Sequence, residues 1–301
     1  MSEGEGMTKT RDPAARAASL ACWSGPVEPE PIAGGITNTN FLVRDRGEPY
    51  FVRIGEDIPE HGVMRFNELA AARAAEAAGL SPAVIYAEPG VIVNRFIEGR
   101  TFGAEDVRAP ENLERIVPLI RRCHHEVPMH LRGPVLTFWV FHVIRDYAAT
   151  LREGRSRCVE QLPDLQSRAE ALEAAVGQID LVFGHNDLLP ANFIDDGERL
   201  WLIDWDYAGF NSPLFDLGGL ASNNELSEAQ EAWLLEAYFG QPADPALLRR
   251  YRAMKSASLL RETMWSMVSE IHSTLDVDYV AYTAENLARF ERAWADFQSG
   301  A

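Results

Sequence analysis

The sequence predicts an α+β chain in two lobes, a small β-rich N-terminal lobe and a larger, mostly helical C-terminal one. Three observations carry this. Short apolar runs broken by turn residues fill residues 39–97 and admit a single helix. After Gly99 helical periodicity dominates. Of 301 residues, 47% are hydrophobic and 24% charged, a balance that excludes a disordered or collagen-like chain. The expected division is residues 1–24 as a tail and short helix, 25–97 as the N-terminal lobe and 98–301 as the C-terminal lobe.

In chain order, Asp12-Pro13 supplies a cap and a first-turn proline for a short helix. Residues 25–31 form a Pro- and Glu-rich connector. Residues 39–45 and 49–54 are strands joined across Arg46-Gly47-Glu48, a hairpin signal. Residues 64–78 carry seven alanines and predict a helix that Gly79 ends. Residues 83–87 and 91–97 pair across Glu88-Pro89-Gly90. Beyond them helices are expected over 111–125 (despite Pro118), 138–152, 165–176, 228–239, 245–272 and 278–297. Ser227 and Gln230 form a capping box before the fourth of these. Only 181–184, 192–195 and 200–204 read as strands in this half. There is no internal repeat.

Charge narrows the partners. Twenty-eight basic against 45 acidic residues leave a net charge of −17, which disfavours nucleic acid or an anionic membrane as a partner. Only Lys9 and Lys255 are lysines, so chemistry needing a lysine has almost no candidates. Cys22, Cys123 and Cys158 are scattered, which suggests free thiols in a reducing compartment. With no signal-peptide pattern and no spanning apolar run, a cytoplasmic protein without membrane insertion is expected. Monomer and homodimer both remain open.

The informative segment is 184–206, GHNDLLPANFIDDGERLWLIDWD. Two apolar runs flank residues 195–199, a hairpin turn. Folding about residue 198 sets Asn192 opposite Asp204, an amide oxygen and a carboxylate, hard donors that suit Mg²⁺. Asp187, five residues before Asn192, lies in an irregular loop and can point into the same space as a base. Turn and cap residues share this spacing. The conjunction with a preceding His and a following apolar-apolar-Asp is what separates the two readings.

His185-Asn-Asp187-Leu-Leu-Pro-Ala-Asn192 with Ile203-Asp204 resembles the phosphotransferase motif of choline/ethanolamine kinases and aminoglycoside phosphotransferases, which share the protein-kinase-like fold. The resemblance spans roughly residues 30–295. It implies an ATP- and Mg²⁺-dependent kinase in which Asp187 is the catalytic base and Asn192 and Asp204 hold the metal. By the same resemblance Gly34, Gly35, Thr37 and Asn38 belong to the glycine-rich turn over the ATP phosphates. Arg53 replaces the usual phosphate-binding lysine, as in the choline kinase branch, with Glu68 as its partner. Phe96 and Ile97 lie in the hinge that binds adenine.

The resemblance extends to the acceptor. Asp206 and Tyr207 follow the metal ligand, and Phe215-Asp216 matches a structural block. Ala257, Leu260, Met264, Met267 and Ile271 recur at core spacing, whereas Glu262 and Trp265 fall on another face. Tyr207, Trp265 and Tyr282, with Asp206 and Glu262 beside them, would form an aromatic box for a quaternary ammonium. The same aromatics also suit ordinary core positions. Leu189 and Asn223 depart from the choline kinase pattern, where Gln and a carboxylate are common. The expected substrate is a small amino alcohol, choline or ethanolamine. Thiamine, an aminoglycoside or another hydroxylated cation is the alternative, and an inactive nucleotide-binding scaffold is the reading from a different class. His124, His125, His130 and Cys123 are expected to be structural.

Overall fold

A computed structural model describes residues 12–32 and 38–300. Gly34, Gly35 and Thr37 of the glycine-rich turn lie outside the described residues. In chain order the elements are α1 (Pro13–Ala18), β1 (Glu30–Ile32), β2 (Thr39–Asp45), β3 (Glu48–Ile54), α2 (Arg65–Ala77), β4 (Val84–Glu88) and β5 (Val91–Arg95). Then follow β6 (Arg100–Thr101), α3 (Ala104–Arg108), α4 (Pro110–His125), α5 (Val140–Glu153) and α6 (Leu162–Val176). The rest comprises β7 (Val182–Gly184), β8 (Phe193–Asp195), β9 (Leu200–Leu202), β10 (Gly209–Asn211), α7 (Pro213–Asn223), α8 (Glu228–Phe239), α9 (Pro245–His272) and α10 (Tyr279–Ser299).

Two compact units emerge. One holds residues up to Asp57 together with Ala83–Phe96, the other Ile58–Pro82 and the chain from Ile97 onward. In the first, the antiparallel strand order is β1-β2-β3-β5-β4. The β2–β3 hairpin runs from Thr39↔Ile54 to Asp45↔Glu48 and closes on Arg46-Gly47 alone. Both of those residues have positive φ, 51° and 86°, the mirror-image turn whose twist suits adjacent strands and which glycine makes accessible. Phe41, Val43, Val52, Ile54, Val91 and Val93 form one core with Ala17 and Leu20. The alternation of β3 puts Arg53, between Val52 and Ile54, on the opposite face.

Helix α2 clusters with the second unit, not with the strands the sequence groups it with. Asn67 explains this: its Nδ2 donates to the Ala208 carbonyl at 2.8 Å and its Oδ1 accepts the Leu136 N–H at 2.8 Å. Within this unit β6-β8-β9 and β10-β7 form two small sheets. Helix α9 is the central element, packed by α5, α6, α7 and α10. Asp244 caps it by accepting the Leu247 N–H at 2.7 Å, and Pro245 occupies its first turn. Ala257, Leu260, Met264 and Met267 are fully buried, whereas Ile271, at the end of the expected stripe, is exposed.

Several elements escape the sequence reading. Ten of the eleven residues of α7 are buried, so no polar face marks its period. Strands β6 and β10 have two and three residues and α3 has five, too short for any period to register. Among the described residues no helix is long and apolar enough to cross a membrane.

Leu260, wholly enclosed in α9, tests this core. Leu260→Ala is expected to cost about 2–5 kcal/mol, measured as a lower urea midpoint with an unchanged slope.

Candidate active site

The loop carrying Asp187 is held from below by one buried carboxylate. Asp216, near the start of α7, accepts the backbone N–H of His185 through Oδ2 at 2.8 Å and of Asn186 through Oδ1 at 2.7 Å. His124 Nε2 lies 2.8 Å from Oδ2, and Tyr238 Oη lies 2.6 Å from His124 Nδ1. Burial alone would raise the Asp216 pKa, but the His124 hydrogen bond and the backbone donors hold it below the ordinary carboxylate value. Asn186 sits at φ 64° and ties its loop to the stretch 207–211: Nδ2 donates to the Tyr207 and Gly209 carbonyls, and Oδ1 accepts from Asn211. Gly184 is required here, because a Cβ would lie 2.6 Å from Asn186 Oδ1. His124 is therefore a positioning residue that sequence reasoning took for a helix-end histidine; its partners lie 92 and 114 residues away.

Asp187 follows directly. Its side chain keeps partial exposure, yet desolvation pushes its pKa up to about 8. Arg261 pulls the value down, while Asp204, Glu262 and Asp206 push it further up. Asn192 is buried, and its Nδ2 donates to the Asp187 carbonyl at 2.8 Å. That turns the amide nitrogen toward the backbone and leaves the amide oxygen as the group available to a cation.

The hairpin register corrects the expected pairing. Strands β8 and β9 pair as Phe193↔Leu202, Ile194↔Trp201 and Asp195↔Leu200. The residue opposite Asn192 is thus Ile203, whose N–H donates to the Asn192 carbonyl at 3.0 Å. The loop between Asp195 and Leu200 holds four residues, which moves the fold axis half a residue before 198. Asp204 lies one position past the ladder, at φ 69°. His185 Nε2 bonds the Ile203 carbonyl at 2.9 Å, tying the Asp187 loop to the segment that carries Asp204.

A second cluster follows along the chain. Arg65 of α2 joins Glu68 at 2.7 Å and Asp206 at 2.9 Å, with all three side chains at most 10% exposed. Trp265 Nε1 donates to the Tyr207 hydroxyl at 2.9 Å. His61 stacks on Trp265 at 4.9 Å between centroids and 29° between planes, and Tyr282 meets Trp265 edge-on at 6.3 Å. Burial lowers the His61 pKa to about 3, so this stacking partner is neutral. The Tyr282 hydroxyl donates to Glu262 Oε1 at 2.9 Å, and Arg261 Nη1 donates to Glu262 Oε2 at 3.0 Å. Tyr207, Glu262, Trp265 and Tyr282 are thus brought together. Sequence reasoning missed Arg65, His61 and Arg261; a charged or imidazole side chain in a helix or turn gives no one-dimensional sign of burial.

In the first unit, Arg53 is buried on β3 with its guanidinium 5.9 Å from the Phe51 ring centroid. Asn38 precedes β2 and is half-buried. Phe96 is the last residue of this unit, and Ile97 begins the longer stretch of the second. Cys22, Cys123 and Cys158 are free thiols.

An antiparallel five-stranded sheet, followed by a helical part whose loop presents Asp187, Asn192 and Asp204, defines a kinase-like phosphotransferase. The family model for choline/ethanolamine kinase matches residues 30–232, and the chain belongs to that family. It is 27% identical over 277 residues to ethanolamine kinase 2 of Rattus norvegicus, covering 82% of this chain and 71% of that one. It is 30% identical over 218 residues to the protein LicA of Haemophilus influenzae, covering 69% of this chain and 62% of that one. A choline/ethanolamine kinase family protein from Mesorhizobium loti superposes with a TM-score of 0.76 at 30% identity, covering 95% of this chain and 96% of that one.

The raised Asp187 pKa has a stability signature. A carboxyl that keeps its proton when folded favours the folded state most below its unfolded pKa, and that stability is lost as pH rises from about 4 to the folded value of about 8. Asp187→Asn, which mimics the protonated form, is expected to match wild type near pH 4. Its melting temperature should exceed wild type increasingly up to pH 8 and level off above. Thermal melts of metal-free protein across pH 4–9 check this; a difference independent of pH contradicts it.

Proposed function

We propose that the protein transfers the γ-phosphoryl group of ATP to the hydroxyl of a small amino alcohol, choline or ethanolamine. The observation carrying this reading is the base-and-ligand loop, Asp187 with Asn192 and Asp204, in one unit with the polar-aromatic cluster of Tyr207, Glu262, Trp265 and Tyr282. The relatives named ethanolamine kinase and the solved LicA in complex with AMP, similar to this chain at 24% identity and TM-score 0.73, agree with it.

Asp187 acts as the base. The acceptor oxygen forms a bond to the γ-phosphorus, the bond from that phosphorus to the bridging oxygen of ADP breaks, and the hydroxyl proton passes to the Asp187 carboxylate. With a pKa of about 8 this group holds its proton in the free protein at neutral pH. A cationic substrate lowers that value by adding positive charge nearby, so the base ionises as the substrate arrives. Asn192 and Asp204 fit Mg²⁺, one amide oxygen and one carboxylate, and the ion would neutralise phosphate charge when bound. Asn38, Arg53 and Phe96 of the first unit, with Gly34, Gly35 and Thr37, are the residues we assign to ATP. Asp206 is held by Arg65, so we assign it a supporting part behind Tyr207 instead of direct contact with the acceptor.

Coupled ADP release across choline, ethanolamine, thiamine and kanamycin tests the assignment. Turnover only of thiamine or kanamycin redirects the acceptor, and ATP binding without turnover of any alcohol supports a scaffold. Asp187→Ala is expected to lower kcat about 10²–10⁴-fold while far-ultraviolet circular dichroism stays unchanged. In titrations with ATP present, Asp204→Ala should weaken Mg²⁺ more than Asn192→Ala, since only the carboxylate neutralises the ion's charge.

A further inference from the structure

Tyr207, one ring of the aromatic cluster that would receive a quaternary ammonium, already carries a cation of the protein's own. The Arg261 guanidinium carbon lies 4.3 Å from the Tyr207 ring centroid and 5.5 Å from that of Phe138, and the residue is 5% exposed. Its Nη1 donates to Glu262, while Nε and Nη2 are buried without an acceptor. Burial opposes its charge, and the Glu262 carboxylate it bonds supports it. Trp265 is similarly engaged, with His61 stacked upon it.

We propose that Arg261 is a specificity-determining residue that makes the site select an ammonium bearing N–H bonds over a quaternary one. This rests on the amino-alcohol reading given above. A trimethylammonium has no hydrogen to donate and depends on open π faces, and Arg261 covers the Tyr207 face. A primary ammonium needs no such face. It donates to Glu262, which accepts one hydrogen bond on each oxygen and so keeps about half of its acceptor capacity, with its side chain 25% exposed. Methylation removes these donors one at a time, and the charge-assisted bond to Glu262 goes with the last of them.

The test is kcat/KM for ethanolamine and its mono-, di- and trimethylated forms, in wild type and in Arg261→Met, which keeps the stem out to the position of Nε and removes the guanidinium and its charge. In wild type kcat/KM should fall along the series, by at least about tenfold overall, one charge-assisted hydrogen bond's worth, with KM carrying the change. Arg261→Met should narrow the ethanolamine-to-choline ratio by a similar factor, a shift that mere loosening of the fold would not produce. Wild type handling choline as well as ethanolamine overturns the proposal, as does an unchanged ratio in folded Arg261→Met. Should that variant fail to fold, the wild-type series decides. Turnover of none of the four alcohols removes the amino-alcohol reading and this proposal with it, and is distinguishable from activity without discrimination.

Discussion

The Asp216 carboxylate is the constraint on which the rest of the site depends. Backbone N–H groups that point into a protein interior need acceptors, and those of His185 and Asn186 find theirs in this side chain. Because both oxygens are used at once, the peptide planes before Asp187 are fixed in direction as well as position. The carboxylate survives burial because His124 and Tyr238 continue the chain of hydrogen bonds outward. Removing one partner would leave a buried charge uncompensated, a heavier penalty than the loss of a single contact.

The same economy of charge governs the rest of the second unit. Asp206, Glu68 and Glu262 are stabilised by Arg65 and Arg261. Arginine suits these places. Its planar, delocalised cation is weakly hydrated, stacks on rings such as Tyr207, and keeps its proton where a buried lysine would lose it. The chain's scarcity of lysine, which at first concerns only nucleotide chemistry, thus coincides with a way of building the interior.

The strands of the first unit and their hairpins were legible because period-two alternation and a Gly-containing turn are local signals, as at Arg46-Gly47. The long helices were legible wherever one face stays polar. Helix α7 was not, because it has no polar face. The β8–β9 hairpin was recognised from its turn, but a loop one residue longer or shorter shifts the whole register, so Asn192 faces Ile203 and not Asp204. Asp187, Asn192 and Asp204 were visible because their spacing lies within eighteen residues of chain. Arg65, His124 and Arg261 were invisible because each acquires its meaning from a partner elsewhere in the fold or from the ring it lies on. The aromatic box was visible as a set of residue types, and what fills it was not.

The conformation of Asp204 has a consequence for what the position can be. At φ 69° an ordinary side chain crowds its own carbonyl, and only glycine, asparagine and aspartate occupy that region with ease. Glycine has no donor atom and asparagine has no charge. The backbone therefore favours aspartate, which combines a readily admitted main chain with an anionic oxygen. Glutamate, the nearest chemical relative, enters the left-handed region only at a cost, as Glu225 does at φ 53°. At this site a torsion angle, and not side-chain chemistry alone, ranks the residues that suit the position.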